Sequence, residues 1–99
     1  MPVYAATKHA VLGLSRSVAL EYARKGIRVN TVCPAVIRTP MFQRAVDAKP
    51  ELEERMERMH PMGRTGAAEE VASAVYWLCV EASWTTGEAI TIDGGFTAQ

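Results

Sequence analysis

Apolar and polar residues follow two different periods along this chain, and the switches between them mark out the elements. Residues 4–25 carry a helical pattern, rich in alanine, with Leu12, Leu14, Val18 and Leu20 spreading apolar surface around the axis. Small residues recur at Ala6, Ala10, Gly13 and Ser17, a stripe along which a second backbone can approach closely. The breadth of this surface predicts a helix buried on more than one side. Arg24 and Lys25 complement the negative end of its dipole, and Gly26 supplies the stop.

Residues 27–33, Ile-Arg-Val-Asn-Thr-Val-Cys, are short and β-branched and predict a strand that Pro34 ends. A helix joined to a strand through one glycine is an αβ connection of the kind found in parallel α/β sheets. Pro40, Pro50, Pro61, Gly63 and Gly66 then punctuate residues 35–66. Two short helices fit there, over residues 41–48 and from Pro50 to about Met59. The second sets Glu51 before Arg55 and Glu54 before Arg58 on one face, and Leu52, Met56 and Met59 on the other. That methionine-rich face serves either as packing surface or as a mobile lid over an apolar ligand. A third helix is expected over residues 67–81, with Glu69 and Glu70 in its first turn and Val71, Ala74, Val75 and Leu78 as its buried stripe. A turn at residues 85–87 leads to a strand over residues 89–92, closed by Asp93-Gly94-Gly95.

The order helix, strand, helical insert, helix, strand predicts an α/β fold. Two strands do not make a stable sheet alone, so the pattern reads as the C-terminal half of a doubly wound, Rossmann-type parallel sheet. Composition narrows the function. Eleven basic and eleven acidic residues cancel, so no basic field draws the chain to nucleic acid or to an anionic membrane. No apolar run approaches the roughly 20 residues that span a bilayer. Cys33 and Cys79 lack metal-ligand spacing and sit in apolar stretches, which predicts buried, reduced thiols and a cytoplasmic setting. Trp77, Trp84 and Phe96 are read as packing residues.

The candidate chemistry lies at the start of the chain. Tyr4 and Lys8 fall one helical turn apart on one face. A phenol ionises near pH 10 in water, and a fixed positive charge beside it stabilises the phenolate. Such a pair can exchange a proton with a reacting oxygen. His9 points about 100° away from Lys8 on the helix and is read as a surface residue.

Several further segments stand in a definite order after this pair: Val29-Asn30-Thr31-Val32-Cys33-Pro34, Val36-Ile37-Arg38-Thr39-Pro40-Met41, Gly63-Arg64-Thr65-Gly66, Glu69-Glu70-Val71-Ala72, and Thr86-Gly87 through Ile92-Asp93-Gly94-Gly95. Together with Tyr4-x-x-x-Lys8 they closely resemble the C-terminal part of the short-chain dehydrogenase/reductase family, over essentially the whole chain. The resemblance implies an oxidoreductase that uses NAD or NADP to interconvert an alcohol and a carbonyl. It implies that Tyr4 is the general acid/base, and that Lys8 supports it and holds the nicotinamide ribose. Ile37 would offer backbone groups to the nicotinamide carboxamide, Pro34 would pack on the ring, and Thr39 would bond the carboxamide or a phosphate. Residues 41–62 would form the substrate-binding insert, with Met41, Phe42, Met56, Met59 and Met62 as an apolar wall. The partners implied are a small-molecule alcohol or carbonyl substrate and further copies of the protein, as a dimer or tetramer.

The sequence departs from the family pattern at Ala35, where glycine is usual, and at Ala68, where proline is frequent. The 99 residues also contain no glycine-rich strand–turn–helix unit for the dinucleotide phosphates, no residue selecting NAD from NADP, and no carbonyl-polarising serine or proton-relay asparagine of the family pattern. The expectation is therefore a fragment, inactive alone, with Met1 corresponding to an internal methionine. The alternative is a non-catalytic module that docks onto intact family members.

Overall fold

The computed structural model describes residues 1–99 and divides into two units that alternate along the chain. The first comprises residues 1–31 and 77–90, the second residues 32–76 and 91–99.

In the first unit, helix α1 spans Pro2–Tyr22. Pro2 stands in the first turn, where its missing N–H is no loss and its fixed φ suits the helix. Ala23–Lys25 tighten into a 3₁₀ turn, and Gly26 takes a left-handed φ of 76°. The Gly26 N–H donates to the Ala23 carbonyl at 3.2 Å and the Ile27 N–H to that of Tyr22 at 3.4 Å, a Schellman closure that only glycine adopts cheaply. The expectation of a helix buried on several sides is not met. Residues 1–11 are all exposed, Ala19 is the one buried residue of α1, and the stripe at Ala6, Ala10, Gly13 and Ser17 is open. Nothing in the first unit covers those turns, so the apolar pattern finds no partner surface there.

The predicted strand over residues 27–33 is shifted: β1 spans Thr31–Pro34. Residues 28–30 instead bond largely through side chains. The Arg28 guanidinium donates to the carbonyls of Leu78 at 2.6 Å, Cys79 at 3.0 Å and Thr85 at 3.3 Å. The Asn30 amide donates to the Thr85 carbonyl at 2.9 Å and accepts from the Glu88 N–H at 3.1 Å. The Arg28 bonds serve the Leu78 and Cys79 carbonyls of the widened π-type turn at Trp77–Glu81. Leu78 and Ala82 join Ala19 as the buried apolar residues of this unit. Trp84, expected to pack, is 99% exposed, and Cys79 is exposed as well. Both thiols are free.

The second unit holds β2 (Ile37–Arg38), α2 (Pro40–Ala48), α3 (Glu51–Met59), β3 (Gly66–Ala67) and α4 (Ala68–Tyr76). β2 and β3 pair in parallel, Ile37 opposite Gly66 and Arg38 opposite Ala67. This pair was not foreseen, because two-residue strands carry no readable period. Val46 is buried, and His60 and Thr65 are the buried polar residues. His60 Nδ1 donates to the Met56 carbonyl at 2.7 Å, and its ring lies 5.7 Å from that of Phe96. The Asp93 carboxylate accepts from the N–H groups of Gly95 and Thr97 and from the Thr97 hydroxyl. Those bonds, Thr97's first, hold its pKa below the ordinary value.

The final strand, β4, spans Ala89–Ile92 as predicted and neighbours β1 in a two-stranded sheet. Thr31 N–H donates to the Glu88 carbonyl, and Ala35 N–H to that of Ile92. Both registers advance in the same direction, so the strands are parallel. No helix is long and apolar enough to cross a membrane.

Candidate functional site

Tyr4 and Lys8 lie in the first and second turns of α1, one turn apart as the spacing predicts. The Lys8 Nζ sits 5.4 Å from the centroid of the Tyr4 ring, over its face. Tyr4 is 57% exposed, so its hydroxyl is open to a reactant. His9 turns away: its Nδ1 meets the Ala5 carbonyl at 2.8 Å, which keeps the ring on its own helix.

Pro34, Ile37 and Thr39 belong to the second unit. Pro34 closes β1 and is exposed. The Gly66 N–H donates to the Val36 carbonyl at 3.0 Å. Alternation along β2 then turns the N–H and C=O of Ile37 to the edge away from β3, where neither has a backbone partner. Ile37 thus presents one donor and one acceptor side by side. Thr39 is the N-cap of α2, its hydroxyl oxygen accepting the Phe42 N–H at 3.2 Å. The hydroxyl proton remains available to another acceptor.

Ile37 and Thr39 both line a groove of about 410 Å³ together with Ala35, Met41, Phe42 and Ala45. No charged side chain lines it. Of the methionines expected to form an apolar wall, Met41 contributes to this groove. Met62 lines a different cavity, of about 330 Å³, with His60, Arg64, Glu70 and Asp93. Met56 and Met59 line neither.

Two arginines flank β2 and β3, and both are committed. Arg38 is paired with Glu53, donates to Gln43 at 3.0 Å, and lies 5.6 Å from the Phe42 ring centroid. Arg64 grips Glu70 with two parallel bonds of 2.8 and 2.9 Å. Glu70 also accepts the Ala67 N–H at 2.9 Å, which satisfies a free donor at the start of α4. The hydrogen bonds from Arg64 and then Ala67 hold the Glu70 carboxyl down at about 2, and Glu70 in turn raises Arg64 above its ordinary value. No group of three His, Cys, Asp or Glu side chains could hold a metal ion.

Comparison with known proteins decides the family. A family model described as "Enoyl-(Acyl carrier protein) reductase" matches residues 1–97. The chain is 52% identical over 98 residues to the short-chain dehydrogenase RED2 of Pyricularia oryzae, covering 98% of this chain and 35% of that protein. This chain belongs to the short-chain dehydrogenase/reductase family. Within the family, it is 47% identical over 96 residues to the 2,5-dichloro-2,5-cyclohexadiene-1,4-diol dehydrogenase of Sphingobium indicum, covering 96% of this chain and 38% of that one. Among solved structures it is similar to ElxO, determined with NADP bound: TM-score 0.90, 38% identity, 97% of this chain and 39% of that one. The chain therefore has the Rossmann-type α/β fold expected, and it spans little more than a third of the length of the curated relatives it matches.

Most groove residues of this short-chain dehydrogenase/reductase chain were visible in sequence as parts of the segments around residues 34–42. Ala45 was not. It lies one turn beyond Met41 on α2, and helical periodicity over residues 41–48 is the signal that finds it.

Proposed function

We propose that this chain carries the proton-transfer residues and part of the nicotinamide site of an oxidoreductase that interconverts an alcohol and a carbonyl with NAD or NADP. The observation that carries the reading is the Tyr4–Lys8 pair, one turn apart on α1 with an open phenol, at the head of a family match over residues 1–97. The NADP bound to ElxO supports a dinucleotide as the cofactor.

The residues present fit its nicotinamide end. A primary carboxamide offers one acceptor and a donor pair, and the unpartnered Ile37 N–H and C=O are their complement. Thr39 adds a hydroxyl proton, and Pro34 an exposed apolar ring. When bound, the cofactor supplies or accepts hydride. In reduction, the Tyr4 hydroxyl gives its proton to the carbonyl oxygen; in oxidation the Tyr4 oxygen takes the proton of the alcohol. The Lys8 ammonium would stabilise negative charge on that oxygen and would hold the ribose of the cofactor when bound. Residues 41–62 serve as the substrate-binding insert, with Met41 and Phe42 against the groove.

A chimera tests this: the chain replaces the matching 96 residues of the Sphingobium diol dehydrogenase. NAD(P)-dependent alcohol oxidation is expected, and Tyr4→Phe should reduce kcat by roughly 10²–10⁴-fold, the range for a positioned acid/base. Undiminished kcat in the Tyr4→Phe chimera would refute the assignment.

The exposed apolar residues of α1, Leu14 and Leu20 among them, favour a second reading in which the isolated chain docks onto intact family members. Pull-down with a full-length relative tests it, and failure to associate removes it.

A further inference from the structure

We propose that Arg38 is a positioning residue for the nicotinamide site: its side chain, gripped by α2 and α3, holds the backbone between Ile37 and Thr39 where the carboxamide is received. The proposal rests on the oxidoreductase reading. It adds to that reading a residue whose side chain reaches the insert rather than the cofactor.

The need for such a residue comes from β2 itself. A strand of two residues has little order of its own. β3 bonds one edge of it, and the other edge carries the free N–H and C=O of Ile37. β3 is equally short, and Gly66, opposite Ile37, brings no side chain to the pairing. Backbone pairing alone therefore leaves Ile37 and Thr39 weakly fixed.

Arg38 stands between those two residues and is held at three points. Its guanidinium pairs with Glu53 on α3, donates to the Gln43 side-chain oxygen on α2 at 3.0 Å, and lies 5.6 Å from the Phe42 ring centroid. The Gln43 amide nitrogen donates to Asp47 at 3.0 Å, which turns its oxygen towards Arg38. A carboxylate, an amide oxygen and a ring face together suit a planar fork and not a point charge. α3 buries no residue, and its other ion pair, Arg58 with Glu54, lies within the helix. Arg38–Glu53 is thus the ion pair that ties α3 to β2. The two side chains are 41% and 37% exposed, so the pair adds little to global stability and acts on local order. Arg44, on α2, has no ion-pair partner and carries the same charge without the tether.

The test uses the chimera and reads binding as well as turnover. Arg38→Met should raise the Kd for the reduced dinucleotide about tenfold, the loss of one to two hydrogen bonds to the carboxamide. The matching ADP-ribose, which lacks the nicotinamide, should keep its Kd within about twofold. Glu53→Gln should weaken dinucleotide binding in the same direction, and adding it to Arg38→Met should change little further. Arg38→Lys should fall between, and Arg44→Met should have no effect. On the 99-residue chain, Arg38→Met should speed exchange of the Gly66 amide, which bonds the Val36 carbonyl and reports the β2–β3 pairing, by about fivefold. This measurement serves as the test if the chimera does not assemble. Unchanged dinucleotide affinity, an equal loss for ADP-ribose, or the same loss from Arg44→Met overturns the proposal, as does unchanged Gly66 exchange. A chimera with Arg38-dependent binding but no alcohol oxidation would support the positioning role and sink the oxidoreductase reading, so the two failures are distinct.

Discussion

Thr39 carries two separable duties, and substitution can pull them apart. Its hydroxyl oxygen caps α2 by accepting the Phe42 N–H, and in the proposed reading its hydroxyl proton serves the nicotinamide carboxamide. Loss of an N-cap oxygen costs roughly 0.5–2 kcal/mol. At 3.2 Å this is a longer bond than most, so about 1 kcal/mol is the reasoned value for Thr39→Val. With a urea slope of about 1–3 kcal/mol/M, the unfolding midpoint should fall by roughly 0.3–1 M. The loss is local first. α2 is a nine-residue helix, too short to hold itself by propensity, so its first turn should fray and the Phe42 and Gln43 amides should exchange faster. That turn carries Met41 and Phe42, so the groove loses a wall at the same time. Thr39→Asp restores the acceptor and suits the helix dipole, yet offers no proton at neutral pH. Stability should therefore return with Asp while cofactor-dependent turnover in the chimera does not, and Thr39→Ser should recover both. Two results would refute the reasoning: Val and Asp equally destabilising, or Asp retaining full turnover.

Other tests follow from the same geometry. Arg28→Met removes a cation that serves three carbonyls, of which that of buried Leu78 has least access to replacement water; urea unfolding should show a loss of about 2–4 kcal/mol, and Arg28→Lys should recover only part because a point charge cannot fork between them. The Glu70 carboxyl is held at about 2 when folded, below its unfolded value, so its contribution is intact above about pH 5 and is lost as the pH falls towards 2. Acid titration of thermal stability should show that slope, and Glu70→Gln should flatten it. The isolated 99-residue chain, lacking a glycine-rich phosphate turn, should not enhance NADPH fluorescence, whereas the chimera should; saturable enhancement by the isolated chain would contradict this.

What the sequence made legible were features determined within a few residues. The α1 stop follows from Gly26, because one left-handed residue closes a helix whatever packs around it. Thr39-Pro40 announces a cap and a first-turn proline, and α2 begins there. Ala89–Ile92 alternates and forms β4 at the expected bounds. What stayed hidden depends on distant partners. Nothing in Ile27–Asn30 says that Arg28 will reach Leu78 and Cys79, so a β-branched run was read as ladder when side-chain bonds were to claim it. Likewise the pairing of Ile37 with Gly66 joins two residues whose own windows show no strand signal.

Exposure was the least legible property, and its pattern bears on function. Leu14, Leu20 and Trp84 are apolar by composition yet uncovered, whereas His60 and Thr65 are polar yet buried. A hydrophobic pattern states that a surface seeks cover, not which partner supplies it. In the second unit the cover comes from the chain itself, and there the groove acquires a defined lining, a capped helix and two satisfied arginines. Along α1 it does not, although α1 carries Tyr4 and Lys8. The proposed proton-transfer pair thus sits on the exposed first turns of α1, and its ammonium settles over the face of the phenol ring. Placing that charge to stabilise the phenolate oxygen requires a second contact on Lys8, which the ribose hydroxyls of the proposed cofactor would provide. Cofactor binding and activation of Tyr4 would then be one event. In the chimera, Lys8→Met should weaken NADPH binding and reduce kcat together; a loss in kcat with unchanged cofactor affinity would show that the two are separate.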